Sequence, residues 1–474
     1  MQATSQAFQR NVSAALQNPA LQKALKNIKI GFVRKRAAAV AKLPEFELLR
    51  DAGCELKNHV LDHLDFYLER FEAKVIESGG QVHWARDAAE ANQIVLEICR
   101  SVNARLVTKG KSMISEEIGL NEFLEAHGIR PVETDLGEYI IQLRHEHPSH
   151  IIAPAVHLNR DQIADAFQAH HAPYGFTERR EEPRALLDEA RQVLRQQFLR
   201  ADVGITGANF CVAETGTTVI VTNEGNGDLT QILPRVHIAL SSIEKVVPTL
   251  EDVSLLLRLL ARSATGQELS VYTTFSTGPR RRDDLDGPEQ FHVVLLDNSR
   301  SGMLGGEFQD MLRCIRCAAC LNHCPVYGAI GGHAYGWVYP GPMGSVLTPQ
   351  LIGIEVAAQL PNASTFCGRC EEVCPVHIPL PKMMRHWRER EFARHLTPAA
   401  ARFGLGLWAF VAQRPKLYRL ATNLGAWLLR RLAASKGRIR SLPLAKGWTA
   451  WRDLPAPQGR TFQQQWAARR ENRL

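Results

Sequence analysis

Seven cysteines between residues 314 and 374 constrain this chain more than any other feature of its sequence. They form Cys314-x2-Cys317-x2-Cys320-x3-Cys324-Pro325 and Cys367-x2-Cys370-x3-Cys374-Pro375, the spacing with which bacterial ferredoxins hold two iron–sulfur clusters. Two-residue gaps let one tight loop set three thiolates on three corners of a cube, while the cysteine before proline points away to the other cluster. By that crossing rule Cys314, Cys317, Cys320 and Cys374 hold the first cluster, and Cys324, Cys367 and Cys370 hold the second. Position 364, where the second motif's first ligand would stand, is Ser364. The second cluster is therefore expected as [4Fe–4S] with Ser364, another residue or a partner as fourth ligand, or as [3Fe–4S]. Zinc prefers paired C-x2-C knuckles around one ion and fits seven cysteines at this spacing poorly. Clusters can also be structural staples, but two in this arrangement favour one-electron relay between a donor and an acceptor. Cys54, Cys99 and Cys211 stand alone in apolar contexts and read as core thiols.

Metal ligation presumes a reducing compartment. The first forty residues interleave Arg10, Lys23, Lys26, Lys29, Arg34, Lys35 and Arg36 with apolar positions, leaving no continuous signal-peptide core, so a cytoplasmic protein with reduced cysteines is expected. The apolar run Phe403 to Ala412 is too short to span a bilayer, and the uncharged stretch Ala334 to Ile354 carries three prolines and several glycines, which suggests a loop. Charge is unevenly spread. Residues 376–474 hold 20 Lys+Arg against 4 Asp+Glu in a chain of net charge +8, and six of the eight tryptophans. There Leu417, Leu420, Leu424, Trp427 and Leu428 recur at helical spacing beside Arg419, Arg430 and Arg431, a pattern suited to packing on the protein's own core or to an acidic partner or anionic membrane surface.

At 474 residues more than one domain is expected. Residues 1–60 read as a helical N-terminal arm. From about 60 to 300, helices alternate with strand candidates at Gln81–Trp84, Arg105–Val107, Arg130–Glu133, His150–Ile152, Val219–Thr222, Arg235–Ala239 and Phe291–Leu296, after a helix through Leu61–Ser78. Such alternation predicts an open α/β sheet covered by helices. Gly204, Gly207 and Gly216 are wrongly spaced for a dinucleotide turn or phosphate loop, so neither NAD nor ATP is expected. Residues 301–385 form the cysteine-rich segment, short of regular periodicity, and 386–474 a basic, Trp-rich region.

Outside the cysteines, Lys109, Lys111, Ser112, Glu116 and Glu117 stand at a strand-to-helix turn, where α/β folds place ligands and where helix capping is equally served. Thr134, Asp135, Glu138 and Gln142 form a second polar group and Glu214, Thr215 and Gly216 a third. His157, after Pro154, reads as a loop histidine before it reads as a base.

The segments "CIRCAACLNHCPVYGAIGGHAYGWVYPGPMG", "FCGRCEEVCPVHIPL" and "VETDLGEYIIQLRHEHPSHIIAPAVH", with "CVAETGT" and "RDLPAPQGRTF", resemble the lactate utilization protein B family, iron–sulfur subunits of a multisubunit L-lactate dehydrogenase. The resemblance implies a lactate-utilization α/β domain similar to the glucosamine-6-phosphate isomerase and coenzyme A transferase group, then a two-cluster ferredoxin-like domain and a helical C-terminal region. It implies two partner subunits and oxidation of L-lactate to pyruvate, with electrons relayed to an acceptor that could be respiratory and membrane-borne; no nucleic acid is expected. Hydride removal from a 2-hydroxy acid needs a flavin, nicotinamide or comparable cofactor, and no fingerprint for one stands here. The alternative is an acyl- or phospho-ligand enzyme in the α/β domain with regulatory or structural clusters, for which Glu214 is the one nameable nucleophile, since coenzyme A transferases use a glutamate.

Overall fold

The computed structural model describes residues 3–433, 437–442, 446–449 and 452–471. Runs such as Val203–Gly207, Val236–Ser242 and Gln290–Leu296 are buried almost throughout, as strands covered on both faces must be. They belong to a six-stranded parallel sheet made of β1 (Gln81–Ala85), β2 (Leu106–Gly110), β3 (Arg130–Glu133), β4 (Val203–Gly207), β7 (Val236–Ser242) and β10 (Gln290–Leu296), in the order β1-β10-β7-β4-β2-β3. A second sheet joins β8 (Val246–Val247), β5 (Phe210–Val212), β6 (Thr217–Thr222) and β9 (Tyr272–Ser276) in that order. One face of the large sheet packs Val95 and Leu96 of helix Ala88–Ser101 onto Ile205, Ile238 and Val294. On the other, Phe71 and Val75 of helix Leu64–Glu77 meet Ala239, Val293 and Leu295. The chain leaves β2 toward β3 but leaves β4 toward β7, so the switch point of the sheet lies at the C-terminal ends of β2 and β4.

Gly216 shows why its turn needs glycine: its φ is +68° and a Cβ would lie 2.5 Å from the Lys74 backbone.

The structure departs from the sequence expectation in several places. His150–Ile152 is a turn, because the His150 imidazole accepts from the amides of Ile152 and Ala153, both at 3.2 Å. The helix expected through Leu61–Ser78 is broken at His63, whose φ of −132° leaves the helical region between Phe46–Asp62 and Leu64–Glu77. Gly341–Ile352 is a helix where a loop was expected; Pro342 sits in its first turn, where no amide hydrogen is required. The cysteine-rich segment is also densely packed, with Tyr327, Tyr335, Val338, Tyr339 and Val346 all buried.

Contacts divide the chain into two units, Met1–Glu391 and Phe392–Leu474. Within the first, the N-terminal helices lie on the cysteine-rich segment: Ser5 Oγ donates to Tyr335 O at 2.9 Å and Gln22 Nε2 to Ala329 O at 2.7 Å. The second unit contains helices Ala399–Ala412 and Pro415–Ala433, a short antiparallel pair (Arg438–Ile439 with Leu454–Pro455) and helix Phe462–Glu471. No residue of Ala399–Ala412 is buried, although that helix carries Phe403, Leu405, Leu407, Trp408 and Phe410. The stripe of Leu417, Leu420, Leu424, Trp427 and Leu428 is likewise exposed. No described helix is long and apolar enough to cross a membrane.

Candidate metal centre

The two cysteine motifs fold alike. Ala318 (φ +60°) and Gly368 (φ +79°) each open a four-residue helical turn, Ala319–Asn322 and Arg369–Glu372. Each turn leads to a Cys-Pro pair whose sulfur accepts a backbone N–H: Tyr327 N to Cys324 Sγ at 3.5 Å and Ile378 N to Cys374 Sγ at 3.4 Å. The left-handed residue tightens the loop so that the flanking thiols turn to one side.

Cys314, Cys317, Cys320 and Cys374 line one narrow cavity, closed by apolar residues that include Ile315, Met343 and Ile378. Cys324, Cys367 and Cys370 lie within electrostatic reach of one another. Cys367 is exposed. Ser364 Oγ accepts the Phe366 amide at 3.1 Å. Burial pushes the thiols of Cys370 and Cys374 up to about 12 and about 11, so these are not activated nucleophiles; a bound metal is what makes such thiols thiolates. Among the described residues no three His, Cys, Asp or Glu side chains converge where a single metal ion could sit. The motif thiols surround a space instead.

Buried cations surround the first motif. Arg50 donates from Nε and Nη2 to the Cys374 carbonyl at 3.1 and 2.8 Å, and Arg36 Nη2 donates to Val373 O at 3.0 Å. Lys57 Nζ donates to Glu244 O at 2.5 Å, and burial lowers its pKa to about 8. Arg316, between Cys314 and Cys317, lies over the Tyr339 ring and donates to Glu244 Oε1 at 3.1 Å. Arg36 acts electrostatically on Cys317, and Lys57 and Arg316 act on Cys314. Buried charges are tolerated only when paired. An anionic cluster of four thiolates is the partner that this cationic shell suits, so donors and surroundings both fit an iron–sulfur group.

Glu244 follows β7 and is shared with Arg300, whose Nε lies 3.2 Å from Glu244 Oε2. Arg300 Nη1 and Nη2 clasp both oxygens of Glu117 at 2.9 and 2.6 Å, and Glu117 also accepts from Tyr339 and Asn298. This buried network ties the C-terminal ends of the sheet to the first cysteine loop. Burial opposes ionisation of Glu244, but Arg300 and Arg316 hold its carboxyl at about 2. Glu117 is lowered likewise: burial raises it and Arg300 outweighs burial. Replacing Arg300 with Met leaves the buried Glu117 carboxylate without its cation and Glu244 with Arg316 alone, and is expected to cost about 3–5 kcal/mol of stability, measured by denaturant unfolding of the holoprotein. Because both carboxyls are depressed, their contribution is full above the unfolded value near 4.5 and is lost as pH falls toward 2. The wild type should therefore lose more stability over that window than the Arg300 variant.

The polar groups singled out in the sequence are brought together by the β2–β3 pairing but partner one another. Lys109 Nζ lies 2.7 Å from both Glu116 Oε1 and Glu133 Oε1 and donates to Ser115 Oγ at 2.8 Å. Ser112 caps helix Met113–Glu117 by accepting the Ser115 amide, and Asp135 caps helix Leu136–Leu143 by accepting the Gly137 amide. Lys111 Nζ lies 3.4 Å from Asp135. Thr134 Oγ1 donates to Lys109 O, and Gln142 Oε1 accepts the Glu133 amide. Burial, with Glu133 and Asp135 adding to it, pushes Glu138 well above the usual carboxylate range. Glu214 stands apart and exposed, accepting the Leu250 amide at 3.3 Å. Thr215 pairs with Thr217. His157 Nε2 meets Glu146 Oε2 at 2.8 Å. Cys99 and Cys211 are buried, whereas Cys54 is half-buried with its sulfur 2.8 Å from Arg313 Nη1.

Sequence reasoning missed the cationic shell. Its signal was on helix Phe46–Asp62, whose buried stripe runs Phe46, Arg50, Gly53, Lys57, Val60, Leu61: two cations at helical spacing where apolar residues belong.

An α/β domain joined to two Cys-Pro motifs with clustered thiols defines an iron–sulfur protein of the two-cluster ferredoxin type. Residues 68–296 match the family described as LUD domain, 310–378 the 4Fe-4S dicluster domain, and 377–471 the lactate utilisation protein B C-terminal family. Lactate utilization protein B of Shouchella clausii is 44% identical over 470 residues, covering 98% of this chain and 97% of the relative. That of Bacillus subtilis is 40% identical over 473 residues, covering 99% and 98%. A duf162 family protein from Deinococcus radiodurans aligns with 49% of this chain and 98% of its own at 16% identity and a TM-score of 0.28. The chain belongs to the lactate utilization protein B family, and its dicluster domain carries iron–sulfur clusters.

Proposed function

We propose that this chain is the iron–sulfur electron-transfer subunit of a complex that oxidises L-lactate to pyruvate. In this reading Cys314, Cys317, Cys320 and Cys374 hold the first cluster, and Cys324, Cys367 and Cys370 the second. The observation that carries it is the cavity lined by four motif thiols amid buried Arg36, Arg50 and Lys57 and the mostly buried Arg316. When bound, each cluster supplies one-electron chemistry, so two of them match the two electrons that a 2-hydroxy acid releases on becoming a 2-oxo acid.

The chain's own residues orient and insulate. Arg316 and Arg300 pin the first cysteine loop to Glu244 at the end of β7. Exposed Cys367 leaves the second motif open at the surface, where electrons can pass to an acceptor and a partner could contribute the fourth ligand. The hydride-accepting cofactor belongs to one of two partner subunits. The division into 1–60, 61–300, 301–385 and 386–474 is part of the same reading, as is a cytoplasmic location at the inner face of the membrane. The test is whether L-lactate reduces the clusters only when the partner subunits are present.

A further inference from the structure

A second polar site lies apart from the cysteine cavity. A cavity of about 210 Å³ opens where the N-terminal helix Pro19–Ile28, the segment 144–162 and the loop 330–333 meet. Arg144, Glu146, His157 and His333 line it. Gly332 makes the close approach possible, since a Cβ there would lie 1.8 Å from Ser149 O.

Glu146 organises the site. Its Oε1 accepts from Arg144 Nε and Nη2 at 3.1 and 2.8 Å, and its Oε2 meets His157 Nε2 at 2.8 Å. An acceptor-only carboxylate at Nε2 makes that nitrogen the donor. In neutral His157 this leaves Nδ1 a bare acceptor, and that atom is buried with no hydrogen-bond partner. His333 donates from Nε2 to His147 O at 2.7 Å, so its Nδ1 in the neutral ring is an acceptor too. The two imidazoles stand edge to face with centroids 4.4 Å apart. An orphaned buried acceptor is destabilising, and a ligand hydroxyl would satisfy it. Arg144 keeps a third nitrogen, Nη1, outside its bonds to Glu146, the complement of a carboxylate.

We propose that this cavity is a binding site for a small hydroxy-carboxylate, with the carboxylate on Arg144 and the hydroxyl donating to His157 Nδ1. The site also communicates with the second cysteine set. Ser149, on its wall, accepts at its carbonyl from Tyr327 OH at 2.7 Å, and the Tyr327 amide donates to Cys324 Sγ. Occupancy should thus be visible at the cluster proposed for Cys324. This step rests on the relay reading only for its physiological ligand; binding itself does not depend on it.

The experiment is calorimetric titration of the anaerobically prepared full chain, clusters loaded, with L-lactate, glycolate, acetate and pyruvate. Lactate and glycolate should bind saturably, and acetate, which lacks the hydroxyl, about tenfold or more weaker. His157→Phe should remove that discrimination, and Arg144→Gln should weaken all four acids about tenfold, with cluster absorbance unchanged. Should the His157 variant not fold, the wild-type comparison of lactate with acetate decides alone. Equal binding of lactate and acetate, or no saturable binding, overturns the proposal. Binding without lactate-dependent cluster reduction in the complex would overturn the relay and leave this site standing; reduction without binding to this chain would do the reverse.

Discussion

Replacing Cys374 with alanine is expected to strip the first cluster, about four of the seven to eight irons, although the first motif ends fifty residues earlier at Cys324. The expectation rests on the cavity that Cys374 shares with Cys314, Cys317 and Cys320 and on Arg50, whose guanidinium holds the Cys374 carbonyl from two nitrogens. Replacing Cys367 should remove the other cluster and spare the first. Iron analysis with EPR of the anaerobic variants distinguishes the two. If Cys374→Ala spares the cluster of the first motif and removes the second, the crossed assignment is wrong.

The second large effect concerns the C-terminal unit. Helix Ala399–Ala412 presents Phe403, Leu407, Trp408 and Phe410 to solvent, and Pro415–Ala433 presents Leu420, Leu424, Trp427 and Leu428. Guanidinium groups lie on exposed rings: Arg414 is 3.6 Å from the Phe410 centroid and Arg431 4.4 Å from that of Trp427. Apolar and aromatic faces flanked by arginine suit an anionic bilayer surface, where each basic residue contributes about 1 kcal/mol. The full chain should sediment with anionic vesicles about tenfold or more better than with neutral ones, and high salt should abolish the difference. A chain ending at Glu391, the limit of the first unit, should lose the binding. Salt-independent and equal behaviour of the two proteins would end the membrane assignment.

Much of this was legible in the sequence, for identifiable reasons. Thiol spacing is a covalent ruler, so the two motifs could be read directly. Arg130–Glu133 formed a strand as expected, since its apolar positions sit between a glycine turn and an aspartate cap. β4 and β5 went unread because "VGITGANFCV" is punctuated by glycines that suggest loop, whereas Gly204 is there for close approach: a Cβ would lie 1.8 Å from Thr230 O. The polar residues around Lys109 were recognised as a group, but the register that sets Lys109 beside Glu133 is a property of the sheet. The tail's helical periodicity was visible too. Its exposure was not, because the same stripe serves a buried face equally well.

Cluster reduction by L-lactate is the measurement that decides whether this chain relays electrons. L-lactate is added anaerobically to the oxidised chain, alone and assembled with its partner subunits, and cluster reduction is followed by EPR beside pyruvate formation. The expected result is no reduction of the isolated chain, and reduction of both clusters in the complex, with pyruvate formed in proportion to the electrons received. Pyruvate production by a complex whose clusters remain oxidised, or sustained lactate oxidation by the isolated chain, would contradict it.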